Sequence, residues 1–91
     1  MRVTSVKYLK DYQIEVSFHN RVVKRFDLKE FLFSEYNPMI TKYRKIELFK
    51  KVYEERGFVY WNDGELSFGG DSLYNWDIAI TVTKKELQFH H

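Results

Sequence analysis

Residues 12–19 read Tyr12-Gln13-Ile14-Glu15-Val16-Ser17-Phe18-His19, and this stretch decides the fold class. Its apolar members Tyr12, Ile14, Val16 and Phe18 alternate with Gln13, Glu15, Ser17 and His19. Successive side chains of a strand point to opposite faces, so the pattern describes a strand with one face buried and one in water. Residues 3–9 before it are rich in β-branched and aromatic types, and Lys10-Asp11 suits the tight turn of a hairpin. After it, Asn20 tolerates positive φ, and residues 22–27 read as a third strand. Three sequential antiparallel strands are the simplest layout.

Downstream of this meander, Asp27 is placed to cap a helix over 28–33, with Glu30 completing a capping box and Leu28, Phe31 and Leu32 sharing one face. Residues 34–38 read as a loop, because Pro38 pushes Asn37 out of helical geometry. Leu48, Phe49 and Val52 have helical spacing, which predicts a second helix over 46–55 ended by Gly57. Phe58-Val59-Tyr60-Trp61 is an apolar run suited to a central strand over 58–62. Asn62-Asp63-Gly64 is a strong turn signal, and Leu66 and Phe68 mark a return strand over 65–68. Gly69-Gly70 breaks that strand, and Asp71 or Ser72 is expected to cap a third helix over 72–77. A last strand is expected over 78–83. The predicted architecture is one small α+β domain, a meandering antiparallel sheet with two or three short helices, spanning residues 1–83, with a polar end at 84–91. The expected core is Val6, Leu9, Ile14, Val16, Phe18, Phe26, Leu28, Phe31, Leu32, Leu48, Phe49, Val52, Val59, Trp61, Leu66 and Leu73.

Composition narrows the function classes. In 91 residues there are eight Phe, seven Tyr and two Trp, 19% of the chain, and no Cys. So small a domain must spend most of its aromatics on its core, leaving a minority for binding. Without cysteine there is no disulfide framework, thiol nucleophile or thiolate metal site, which fits a reducing cytoplasm. Residues 1–6 lack the pattern of a secretory signal, and no run has the ~18 apolar residues of a membrane span. A net charge of +2 is mild for a nucleic-acid binder.

Motifs for catalysis are sparse. His19 sits on the polar face of its strand without an evident partner, and Asp63, Glu65 and Asp71 lack calcium-loop spacing. Gly69-Gly70 lacks the Lys-Ser/Thr of a phosphate loop. The expectation is a non-enzymatic protein with no cofactor and no metal site. The basic segment 42–56 interleaves Lys42, Arg44, Lys45, Lys50 and Lys51 with Tyr43 and Tyr53, a pattern that can grip phosphates and stack bases. Glu47, Glu54 and Glu55 break it, as on an ordinary solvated helix face. Candidate contact residues, for a protein partner or a nucleic acid, are Lys42, Tyr43, Arg44, Lys45, Lys50, Tyr53, Tyr74 and Trp76, with Tyr36 alongside them. A protein partner or self-association is the leading expectation, and nucleic acid the alternative.

The order of motifs is also that of a family. Tyr8-Leu9, Asp11-Tyr12 and Phe18 are followed by Asp27-Leu28, Leu48-Phe49-Lys50-Lys51-Val52, Trp61-Asn62-Asp63-Gly64 and the run from Asp71 to Tyr74. Over residues 3 to 74 this resembles the bacterial domain-of-unknown-function family 2442. The resemblance implies a small cytoplasmic α+β domain, found in some relatives before a helix-turn-helix domain, whose stand-alone copies resemble members of candidate toxin–antitoxin gene pairs. It brings no established activity to any residue. Asn62 stands where the family usually has Pro, Asn20 where it has Gly, and residues 33–47 are longer than the pattern. The strand at 78–83 is then an addition peculiar to this chain, suited to covering a sheet edge or pairing with a partner.

Overall fold

A computed structural model describes residues 1–76 and 80–82. The alternating stretch forms the centre of a sheet: β1 (Val3–Tyr8), β2 (Gln13–Phe18) and β3 (Val23–Asp27) run as an antiparallel meander. The Lys10-Asp11 turn is present, closed by the Leu9 amide on the Gln13 carbonyl at 3.0 Å, with Asp11 at φ 48°. At the next turn positive φ falls on Arg21 rather than on Asn20, whose side-chain oxygen instead accepts from the Val22 amide at 3.1 Å. A bulge between Val3 and Ser5 lets Val3 join Val6 and Tyr8 on the inner face, opposite Phe18, Val16 and Ile14. Val3 is therefore core, while Val6 and Leu9 are only half-buried.

The helix expected over 28–33 is present, and the expected loop at 34–38 narrows to 35–37 because a further short helix opens at Pro38. α1 (Lys29–Ser34) begins where the Asp27 carboxylate accepts from the Lys29 amide at 3.0 Å, a single cap without the Glu30 half of the box. α2 (Pro38–Thr41) has Pro38 in its first turn, where a missing N–H costs nothing, and Asn37 caps it through the Met39 amide at 3.0 Å. A 3-10 turn at Lys42–Arg44 leads to α3 (Ile46–Phe49).

The predicted helix over 46–55 is the main correction. The helix is four residues long, and the chain then extends into β4 (Tyr53–Glu55), which pairs with β5 (Phe58–Trp61). Gly57 closes this hairpin instead of ending a helix: Arg56 at φ 53° and Gly57 at φ 87° are the two central residues of a type I′ turn. Ladder hydrogen bonds and the Tyr53–Tyr60 ring pair outweigh a helical face with only three apolar positions. β6 (Leu66–Gly69) completes a second, three-stranded sheet. α4 (Gly70–Tyr74) starts earlier than expected and has no side-chain cap from Asp71 or Ser72; the Asp71 carboxylate instead meets the Met1 amine. Gly70 is required there, since a Cβ would lie 1.7 Å from the Met1 carbonyl oxygen.

β7 (Ile80–Val82) adds to the first sheet beside β3, with Val23 opposite Val82, giving the order β1-β2-β3-β7. The remainder of the predicted strand, at 78, 79 and 83, and the polar end at 84–91 lie outside the described residues. The α+β class holds, with the antiparallel strands divided between two sheets.

The core lies between the sheets and the short helices. Phe18, Phe26, Leu28, Leu32, Phe49 and Leu73 are buried as expected, and Trp61 is fully enclosed. Its indole N–H donates to the Phe49 carbonyl at 2.7 Å, tying α3 to the second sheet, and its ring centroid lies 5.6 Å from that of Phe49. Phe31, Leu48 and Val52 are half-buried at the margin of this cluster, and Tyr43 takes a core place not predicted for it.

Candidate functional site

The chain between α1 and α3 carries four of the eight candidate contact residues, and the structure sorts them. Tyr43 is 2% exposed. Its hydroxyl donates to Glu65 Oε1 at 2.7 Å, Asn62 Nδ2 donates to the same oxygen at 3.2 Å, and Lys42 Nζ donates to Oε2 at 2.6 Å. Those three donors, the Lys42 ammonium foremost, hold the Glu65 carboxyl down at about 2. Burial, with Glu65 beside it, pushes the Tyr43 phenol well above its ordinary value. The cluster pins the turn after β5 onto the 3-10 turn. It also forms one wall of a cavity of about 330 Å³, lined by Lys42, Tyr43, Leu48, Lys51, Tyr53 and Asn62.

Arg44 is a scaffold residue. Its guanidinium donates to the Leu32 carbonyl at 2.8 Å and the Glu35 carbonyl at 2.9 Å, covering carbonyls that the end of α1 leaves free. It also lies 5.0 Å from the centre of the Phe33 ring, and its own carbonyl accepts from the Tyr12 hydroxyl. Lys45 and Lys50 are exposed.

Tyr74 and Trp76 lie outside that cavity, Trp76 against α1 beside Phe31 and Ser34. Tyr74 is half-buried, edge-on to Phe18 at 5.2 Å, with the Lys24 ammonium 4.3 Å from its ring centre. Trp76 packs with Phe26, Phe31 and Phe68, 5.3–6.0 Å between ring centroids. The eight candidates thus fall into separate groups. Lys42, Tyr43 and Tyr53 meet at one cavity; Arg44, Tyr74 and Trp76 serve packing; Lys45 and Lys50 are in solvent.

Three exposed apolar residues gather at the corner formed by α1, α2 and the link between them. Phe33 is 50% exposed, Tyr36 95% and Met39 52%. Phe33 and Met39 were not read from the sequence as contact residues, although a signal existed for Phe33. Leu28, Phe31 and Leu32 define the buried face of α1, and the next position turns about 100° away from Leu32. Arg44 ties down the Leu32 and Glu35 carbonyls, so the backbone that carries Phe33 and leads into Tyr36 is braced.

A family model described as a protein of unknown function, DUF2442, matches residues 3–79, most of the chain. The chain belongs to the DUF2442 family. The match takes in both sheets up to β6, all four helices and the stretch after α4, so only β7 of the described elements lies beyond it. Comparison with curated proteins and with solved structures finds no match. Among the described residues of this DUF2442 domain, no three His, Asp or Glu side chains converge as metal ligands would, and no helix is long and apolar enough to cross a membrane.

Proposed function

We propose that this DUF2442 domain is a non-enzymatic protein-interaction module of the cytoplasm whose partner docks on the α1–α2 corner. The observation that carries the reading is the exposure of Phe33, Tyr36 and Met39 within seven residues, on a backbone braced by Arg44. Exposed aromatic and Met side chains are the residue types that anchor protein interfaces, and a braced backbone at Phe33 lowers the entropy lost on binding. Non-enzymatic character is supported by how the polar groups are used. Glu65 is saturated by three donors, Glu15 pairs with Arg25 at 2.9 Å, and Asp71 pairs with the Met1 amine. His19 Nδ1 accepts the Arg2 amide at 3.1 Å, so that ring nitrogen is spent on the backbone.

The antitoxin-like role implied by the family resemblance is the form of this reading to test first. Co-expression with the product of the adjacent gene, followed by gel filtration, is expected to give a co-eluting complex. The substitution Phe33→Ser together with Tyr36→Ser and Met39→Ser is expected to abolish it. Migration of the wild-type chain as a lone monomer in that co-expression contradicts the proposal. Migration as a homodimer that the triple substitution dissolves assigns the corner to self-association.

Nucleic-acid contact through Tyr43 or Arg44 gains no support from the geometry, since Tyr43 cannot stack a base from inside the core and Arg44 is committed to α1.

A further inference from the structure

The outer face of the second sheet carries a row of aromatic rings. Tyr53, Tyr60 and Ser67 are directly opposed across β4, β5 and β6, and Glu55, Phe58 and Gly69 form the next row. Directly opposed residues share a face, and this one is opposite to the buried Val59 and Trp61. The rings of Phe58 and Tyr60 are stacked, 6.0 Å apart and 14° from parallel, and Tyr53 continues the row 5.7 Å from Tyr60. Phe58 is 45% exposed, and Tyr53 and Tyr60 are half-buried. Gly69 leaves room for its ring: a Cβ there would meet the Phe58 ring at 3.4 Å.

Both ends of the row run into clefts with cationic walls. At the Phe58 end, a cleft of about 560 Å³ includes Arg2, His19, Arg56 and Ser72 in its lining. At the Tyr53 end is the cavity holding Lys42 and Lys51. Lys42 is already paired with Glu65, so Arg2, Arg56 and Lys51 are the cations that a ligand would meet. Among the described residues the acids nearby are Glu54, whose carboxylate accepts from the Gly57 amide at 3.0 Å beside Arg56, Glu55, in the row with Phe58, Asp63 in the Lys51 cavity, and Asp71 in the Arg2 cleft, where it meets the Met1 amine.

We infer that this face binds a short single-stranded nucleic acid, with bases stacked on Phe58, Tyr60 and Tyr53 and phosphates met by Arg56 and Arg2 at one end and Lys51 at the other. A sheet face bearing successive aromatic rings is a surface on which unpaired bases stack, and cations at its ends track a phosphate backbone. A duplex hides its base faces and cannot use the rings. The site is separate from the α1–α2 corner and goes beyond the protein-interaction reading.

Fluorescence anisotropy with labelled oligothymidine, oligouridine and a DNA duplex of equal length tests it, on the full chain at 50 and 200 mM salt. The single strands are expected to bind and the duplex to bind markedly more weakly. Phe58→Ala is expected to weaken single-strand binding by at least about fivefold, the lower end for losing one stacked base. Arg56→Asn keeps a residue that accepts positive φ in the hairpin turn, so its fold is preserved. It is expected to flatten the dependence of log affinity on log salt by about 0.7, one phosphate contact on a single strand. Glu55→Gln is expected to tighten binding. No binding at 50 mM salt, equal binding of duplex, or an unchanged affinity in Phe58→Ala with an unchanged melting temperature overturns the inference. So does loss of a protein complex in Phe58→Ala while oligonucleotide binding is untouched, which assigns the face to a protein.

Discussion

Replacing Arg44 by Met separates its structural role from a contact role. Its guanidinium makes two charged hydrogen bonds to the Leu32 and Glu35 carbonyls, at 2.8 and 2.9 Å, and lies 5.0 Å from the centre of the Phe33 ring. Hydrogen bonds to charged groups contribute about 1.5–3 kcal/mol each, and an exposed cation–π contact about 0.5–1 kcal/mol. These carbonyls lie near the surface, so water recovers roughly half of the loss, and the Met stem keeps most of the packing of the Arg stem. The expected net cost is about 2–3 kcal/mol. At about 4–8 °C per kcal/mol for a domain near this size, the melting temperature is expected to fall by roughly 10–20 °C. Circular dichroism melts and urea titrations measure both figures, with Lys45→Ala as a solvent-exposed neighbour expected within about 0.5 kcal/mol of wild type. An Arg44→Met domain as stable as the Lys45→Ala control refutes the assignment of Arg44 as the brace of the corner.

Trp61→Phe removes the donor to the Phe49 carbonyl and leaves a cavity between α3 and the second sheet. It is expected to cost about 3 kcal/mol in chemical denaturation, of which about 1–3 kcal/mol is the unsatisfied carbonyl. Gly70→Ala is expected to prevent native packing at the start of α4, since its Cβ would overlap the Met1 carbonyl; loss of the dispersed amide NMR spectrum is the readout. Glu65 titrates at about 2 in the fold against an ordinary 4.5, so its ionised form favours folding. That contribution is complete above pH about 4.5 and is lost as pH falls toward about 2. The melting-temperature advantage of wild type over Glu65→Gln is therefore expected at pH 6 and should close toward pH 2.

The first sheet was legible because its signals are local. Period-2 alternation in residues 12–18 and turn residues at Lys10-Asp11 leave one reading, and the structure follows it. The segment from 34 to 57 was not, because its signals conflict. Pro38 both breaks a helix and opens one, and only Asn37 as a cap decides for α2. Arg56-Gly57 ends a helix or turns a hairpin equally well, and the decision lies in the pairing of Tyr53 with Tyr60, a contact between strands rather than a local preference. The candidate site shows the same division. Tyr36 was readable as a contact residue because it lies in a polar stretch. Tyr43 lies among basic residues, and its burial depends on Glu65, 22 positions away. Phe58-Val59-Tyr60-Trp61 is a fully apolar run of which only Val59 and Trp61 are expected in the core, and the strand period turns those two in and Phe58 and Tyr60 outward.

The central claim is that the α1–α2 corner is a protein-docking surface. Titration calorimetry of the purified adjacent-gene product into wild type and into the Phe33→Ser, Tyr36→Ser, Met39→Ser variant tests it most directly. Phe58→Ala serves as the control on the other face. The expected result is a one-site complex with wild type and with Phe58→Ala, weakened in the triple variant by roughly 30-fold or more, the cost of losing one anchor worth about 2 kcal/mol. Equal affinity for the triple variant and wild type, with both folded, contradicts it.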